Sequence, residues 1–325
     1  MKIAFYEVRD ADKAYLDNVL SPHHVLVSQE PLREENVIAD ADIISVFIYS
    51  RVTEQLLKKM PHLRAIVTRS AGIDHIDLEI CAHRNIRVLN VPAYGPHTVA
   101  EHALALLLAL TRQIPYAFSK VKQGHFSLEG LNPFELSGKV VGVLGTGKIG
   151  LEFIRRVRSF GTEILAYDIA QNAEAARELD FSYVSLDELV AHADILSLHL
   201  PLTPETTHLI NASVFTKMKR GVILVNTARG GIIELKALLR ALEEGIVAGA
   251  ALDVFEREDV FQRRESVSVT SEEQEYAELL QRLLQYRNVI ITPHMAFYSK
   301  ESTQRIYAQT LEHLRELCTP SEQSF

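Results

Sequence analysis

Cysteine is nearly absent from this chain of 325 residues: Cys81 and Cys318 are the only two. That is too few for a disulfide framework or a cysteine-rich zinc site, and it suits a reducing compartment. An excess of positive charge is missing as well. With 34 basic against 42 acidic residues, a formal charge of −8 gives no broad positive field for phosphate backbones, and nucleic-acid binding is disfavoured. Long hydrophobic runs are also lacking. The most apolar helical stretch, ALALLLAL, falls far short of the roughly 20 residues that a bilayer span needs. The opening MKIAFYEVRD has neither an uninterrupted apolar core nor a small-residue cleavage site, so it reads as a strand rather than a signal peptide. A cytoplasmic protein without membrane contact is expected.

What is present is the composition of an ordinary globular protein, 47% hydrophobic and 23% charged, which excludes disorder as the general state. The length exceeds one typical domain and predicts two, each with a well-buried core. KIAFYEV, HVLVSQ, ADIISVFIY, LRAIVTRS and IRVLNV are strand candidates, and TEQLLKKMP is a helix stopped by Pro61. In HTVAEHALALLLALT, the spacing Thr98-x-x-Glu101 predicts a capping box that opens a long helix, a natural place to change domain. From Lys139 the alternation begins again with KVVGVLG, EILAYD, ADILSLHL, GVILVNTA, GAALDVF and NVIITPH, apolar enough for strands buried on both faces. The reading is therefore α/β, with two parallel-sheet domains. The charged stretch EREDVFQRRESVSVTSEEQEYAELL reads as a solvated loop and helix, and the helical KESTQRIYAQTLEHLRELC is expected to fold back on the first domain.

The chemistry begins at VVGVLGTGKIG, where Gly145-x-Gly147-x-x-Gly150 lies between a strand and the helical LEFIRRVRSF. Glycines there permit a tight turn, close approach of a pyrophosphate to backbone and close helix packing, while the helix N-terminus attracts the anion. The next strand ends at Asp168, 18 residues past Gly150, where an acidic side chain would hold ribose hydroxyls. Asp168 would repel a 2′-phosphate, and no arginine follows closely in YDIAQNA, so NAD is favoured over NADP. Three later strand ends carry polar groups: VILVNTARGG ends at Arg229, GAALDVFERED offers Asp253 and Glu258, and VIITPH ends at His294. Ligands of open α/β sheets bind beyond the carboxyl ends of strands, so these groups are candidates for one cleft. Taken alone, each also has a structural reading: a surface pair for Arg229, a solvated charge for Glu258, a strand cap for His294.

Across nearly its whole length the chain resembles the D-isomer-specific 2-hydroxyacid dehydrogenases. TRSAGIDHIDL, NVPAYGPHTVAEHALALLLAL, GKVVGVLGTGKIG, LSLHLPLTPETTHLI, LVNTARGGIIE, GAALDVFERED and NVIITPHMAFYS carry the resemblance, in order. It implies two Rossmann-like domains: a discontinuous, flavodoxin-like substrate domain at residues 1–98 and 296–325, and an NAD-binding domain at 99–295. It also implies a homodimer joined through the cofactor domains. By position, Arg229 would bind the substrate carboxylate, His294 would be the catalytic acid and base, and Glu258 its support, with Glu256 the competitor that spacing disfavours. Ala71, Gly72, Tyr94, Phe297 and Tyr298 would meet the substrate, and Tyr49 is a further candidate wall. Gly145, Thr146, Gly147, Lys148, Ile149, Gly150, Asp168, His199, Pro201, Thr206, Thr227, Ala228 and Asp253 would surround NAD. Asp259 and a long charged segment follow Glu258 where many glyoxylate and phosphoglycerate branches have proline, a departure that looks like the lactate branch. The expected substrate is a small 2-keto acid, pyruvate first, with glyoxylate or hydroxypyruvate as the alternative. An NAD-sensing corepressor is a more distant reading, weakened by the short termini.

Overall fold

The computed structural model describes residues 1–92, 95–258 and 270–319. The chain divides into two compact units, Met1–Tyr94 with Ser299–Phe325, and Gly95–Tyr298.

In the first unit, β1 (Lys2–Phe5), β2 (His24–Val27), β3 (Ile43–Val46), β4 (Ala65–Thr68) and β5 (Arg87–Leu89) form a parallel sheet in the order β2-β1-β3-β4-β5. All four residues of β3 and all four of β4 are buried, as apolar strands covered on both faces require. Alternation along β3 sends Ile44 and Val46 to one face, with Leu57 and Met60, and Ile43 to the other, with Ile3 and Phe5. The helix Lys300–Cys318 adds Leu311 and Leu314 to that second face, so the C-terminal helix does fold back on this sheet. Each buried Leu, Ile or Val contributes about 1.5–3 kcal/mol before the cost of ordering.

In the second unit, β6 (Val140–Leu144), β7 (Glu163–Tyr167), β8 (Ser182–Tyr183), β9 (Ile195–Leu198), β10 (Val222–Asn226), β11 (Val247–Leu252) and β12 (Val289–Ile291) form a parallel sheet. Its order is β12-β11-β10-β9-β6-β7-β8. The order reverses between β6 and β9, the switch point at which doubly wound folds bind ligands. Ala103 and Leu107, on the helix Pro96–Thr111, pack with Phe153 and Ile154 against this sheet.

The start of that helix departs from expectation. Gly95 is the cap residue and Pro96 the first helical one, so Thr98 already lies inside the first turn and no capping box forms there. Proline's fixed φ and missing N–H favour that earlier start, and Glu101 pairs with Arg156 at 3.3 Å. A capping box does open the helix Ser271–Leu284, between Thr270 and Glu273. Among the described residues, no helix is long and apolar enough to cross a membrane.

Candidate active site

At the end of β6 the backbone is committed by three different glycine requirements. Gly145 sits at φ +95°, and a Cβ there would lie 2.6 Å from the carbonyl oxygen of His199. A Cβ at Gly150 would lie 2.0 Å from the carbonyl oxygen of Gly145, so this glycine lets the helix Lys148–Val157 seat on the turn. Gly147, the cap of that helix, faces open space. Lys148 and Ile149 are the first two helical residues, and their N–H groups belong to the unpaired first turn. Beside them the Asp168 carboxylate accepts from the Thr146 N–H at 2.7 Å and the Ala170 N–H at 2.9 Å. The Thr146 hydroxyl also donates to it, at 3.2 Å; of the about four acceptor sites of a carboxylate, one remains for a ribose hydroxyl.

The other residues of this end follow β9 and β10. His199 is enclosed, its Nε2 2.9 Å from Ser197 Oγ and its ring 5.0 Å from Phe153. Burial pushes its pKa down to about 3, so the ring is neutral. Thr206 Oγ1 donates to the Pro201 carbonyl at 2.7 Å and ties the loop 201–206 together. The Ala228 N–H donates to Asn226 Oδ1, and the buried Thr227 Oγ1 has no partner among the described residues. Open space over a helix N-terminus, an acid at the next strand end and an unpartnered buried hydroxyl fit a dinucleotide.

The acid and base candidates leave the carboxyl ends of three neighbouring strands, Arg229 after β10, Glu258 after β11 and His294 after β12. His294 Nδ1 lies 2.7 Å from Glu258 Oε1, with side-chain exposures of 16% and 24%. With the glutamate ionised, Nδ1 carries the proton and donates it, which leaves Nε2 as the nitrogen for chemistry. His294 has φ +52°, a left-handed conformation that a non-glycine residue keeps only when its surroundings enforce it. Asp253 does so from beneath. Its carbonyl accepts the His294 N–H at 2.9 Å, and its carboxylate accepts from the Met295 and Ala296 N–H groups at 2.9 and 2.8 Å. Burial alone would raise the Asp253 pKa, but hydrogen bonds from His102, Thr292 and these two N–H groups hold it below the ordinary carboxylate value. Asp253 is fully buried and holds the turn that carries His294.

Arg229 donates to the Ala228 carbonyl at 2.8 Å. The next residue, Gly230, lies so close to Phe255 that a Cβ would meet its backbone at 2.1 Å, which sets the arginine loop directly against the segment leading to Glu258. Glu256 is engaged elsewhere, 2.6 Å from His208 Nε2.

Among the expected substrate contacts, Phe297 and Tyr298 stack edge to face at 6.0 Å, and Tyr298 is 65% exposed. Ala71 and Gly72 belong to the first unit, in the loop after β4, where the Asn90 side chain and Ser70 Oγ donate to their carbonyls. Tyr94 lies outside the described residues. Sequence reasoning passed over Glu7, whose carboxylate accepts from the N–H groups of Phe47 and Tyr49 at 2.8 and 2.9 Å. It also passed over His102 and the partners of Glu256. No local pattern signals any of these, since each partner is distant in sequence.

Residues 104–296 match the family model described as the NAD-binding domain of D-isomer specific 2-hydroxyacid dehydrogenases. The chain is 35% identical to D-lactate dehydrogenase of Escherichia coli over 327 residues, 98% of this chain and 97% of that protein. It is 38% identical to an aromatic 2-oxoacid reductase of Clostridium sporogenes over 279 residues, covering 85% and 82% of the two chains. Its structure resembles that of D-lactate dehydrogenase from Aquifex aeolicus complexed with NAD and lactic acid, with a TM-score of 0.86, 36% identity and coverage of 97% and 95%.

Proposed function

Since the chain belongs to the D-isomer-specific 2-hydroxyacid dehydrogenases, NAD-dependent oxidoreductases, we propose that it reduces pyruvate to D-lactate, with Arg229, Glu258 and His294 as its catalytic residues. The observation that carries this reading is the 2.7 Å pairing of Glu258 with His294 at the strand end next to that of Arg229.

When bound, NADH supplies the hydride; the protein must orient the keto acid, polarise its carbonyl and provide a proton. The Arg229 guanidinium is a planar fork suited to a bidentate grip on the carboxylate, and it stays charged throughout. His294 gives its Nε2 proton to the carbonyl oxygen as negative charge develops there, and takes it back in the oxidation direction. Glu258 fixes the ring and stabilises the imidazolium that precedes transfer.

Residues 145–150, Asp168, His199, Pro201, Thr206, Thr227, Ala228 and Asp253 are assigned to the cofactor. Residues 99–295 are assigned as the NAD-binding domain, with 1–98 and 296–325 as the substrate domain. Ala71, Gly72 and Tyr94 are assigned to the substrate, with Phe297 and Tyr298 as walls for its side group. The D-lactate dehydrogenase similarities favour a small side group, whereas the C. sporogenes relative favours an aromatic one.

The reading includes a homodimer formed through the second unit. It is supported by Ile114, Phe118 and Val121 on the helix Ile114–Lys122, which are 54%, 60% and 47% exposed, and by Phe126 and Leu128 at 77% and 80%. It also includes a cytoplasmic location, supported by the unpaired thiols of Cys81 and Cys318.

The test is NADH oxidation by the purified protein with pyruvate, glyoxylate, hydroxypyruvate and phenylpyruvate, followed by chiral analysis of the product. Pyruvate is expected to give the highest kcat/KM and D-lactate the product. A preference for phenylpyruvate or hydroxypyruvate would move the substrate, and an L-product would contradict the reading.

A further inference from the structure

From Asp253 to Glu258 the chain forms neither strand nor α-helix, so something other than a ladder must hold Glu258 at the histidine. Halfway along, three donors converge on the carboxylate of Glu256. His208 Nε2 lies at 2.6 Å, the Tyr276 hydroxyl donates at 3.0 Å, and the Leu235 N–H donates at 3.1 Å. They come from three places: the segment before Ile210, the helix Ser271–Leu284, and the first turn of the helix Leu235–Glu243. That last N–H has no partner within its own helix, and the cap residue Glu234 contributes no side-chain bond, so Glu256 caps the helix from outside. Its side chain is only 11% exposed. Between the two glutamates Arg257 takes φ +59°, and its guanidinium stands 5.7 Å above the Tyr276 ring. One tyrosine thus holds Glu256 through its hydroxyl and Arg257 through its face. The backbone of Phe255 and Glu256 also presses on Gly230, next to Arg229.

We propose that Glu256 is a positioning residue for the reaction: its carboxylate clamps this irregular segment to the helices Leu235–Glu243 and Ser271–Leu284, which delivers Glu258 to His294 and keeps both in register with Arg229. The inference rests on the reading of Glu258 and His294 as the acid and base pair. It divides the work between two carboxylates two residues apart. The first, surrounded by donors, serves geometry; the second serves the imidazole.

The clamp is tested in the full-length enzyme with Glu256→Gln and Tyr276→Phe, with Glu258→Gln alongside. The measurements are kcat and KM for pyruvate, NADH affinity by fluorescence, the deuterium isotope effect with deuterated NADH, and the melting temperature. Glu256→Gln keeps the shape but weakens the acceptor, and its kcat should fall about tenfold or more while NADH affinity stays within about twofold. Its isotope effect should rise, because a misplaced proton donor makes the chemical step limiting. Tyr276→Phe removes one donor and should move kcat and the isotope effect in the same direction by less. Wild-type kcat in both variants beside an impaired Glu258→Gln enzyme would overturn the clamp and leave the acid and base pair standing. Parallel losses of kcat, NADH affinity and melting temperature would also overturn it, as the mark of a general structural role. Normal turnover in Glu258→Gln would overturn the clamp together with the reading beneath it.

Discussion

Two histidines follow strand ends in the same unit, and their surroundings are opposite. His199, after β9, is enclosed beside Phe153 and a serine hydroxyl, with Nδ1 buried and without a partner among the described residues. His294, after β12, meets a carboxylate at 2.7 Å. Burial without a counter-charge keeps the first neutral, whereas the second is held by a carboxylate at Nδ1, the contact on which its proposed role rests. The backbones differ as well. The turn near His199 is made by glycines, of which Gly145 and Gly150 each meet a steric demand, while the turn at His294 holds a non-glycine residue in left-handed geometry through the fully buried Asp253. A binding turn can be written locally in small residues; a proton-transfer site needs charges brought from far along the chain.

The contrast breaks most sharply at the glycines. Gly150→Ala places a Cβ 2.0 Å from the Gly145 carbonyl oxygen, so the helix must shift, and both melting temperature and NADH affinity should fall, the latter about 100-fold or more. Gly147 faces open space at φ −66°, so Gly147→Ala should leave the melting temperature near normal and weaken only NADH binding. A melt that falls equally in both variants would remove the distinction between a packing glycine and a ligand-facing one.

A smaller effect sharpens the comparison of the histidines. His199 has a folded-state pKa of about 3, against about 6.5 for an unfolded histidine. Between those values the unfolded chain binds more protons, so stability rises with pH and is lost progressively as pH falls from about 6.5 toward 3. Melting temperatures between pH 6.5 and 4.5 should therefore decline in the wild type and decline less in His199→Gln. Equal slopes would mean that His199 is not the buried neutral group described.

The two ends were not equally legible in the sequence. Strands such as VILVN in β10, buried at all five positions, announce a covered parallel sheet. The spacing Gly145, Gly147, Gly150 and Asp168 announces the dinucleotide turn because its demands on the backbone are local. The helix start is not legible at Thr98, because Gly95 and Pro96 begin the helix earlier and a capping motif has force only at the true first turn. The clamp on Glu256 was not legible at all: His208 and Tyr276 lie 48 and 20 residues away, and only the folded sheet brings them together. Nor does any pattern predict a left-handed His294, since the L-residue preference points the other way.

On the proposed reading His294 carries the proton, and the cofactor turn does not depend on it. The most direct measurement is single-turnover reduction of pyruvate by His294→Ala, with NADH affinity determined on the same sample. The rate should be lower by about 10²-fold or more, the usual contribution of a positioned acid or base, with NADH affinity within about twofold of wild type. A near-normal rate would contradict that reading, whatever the cofactor affinity.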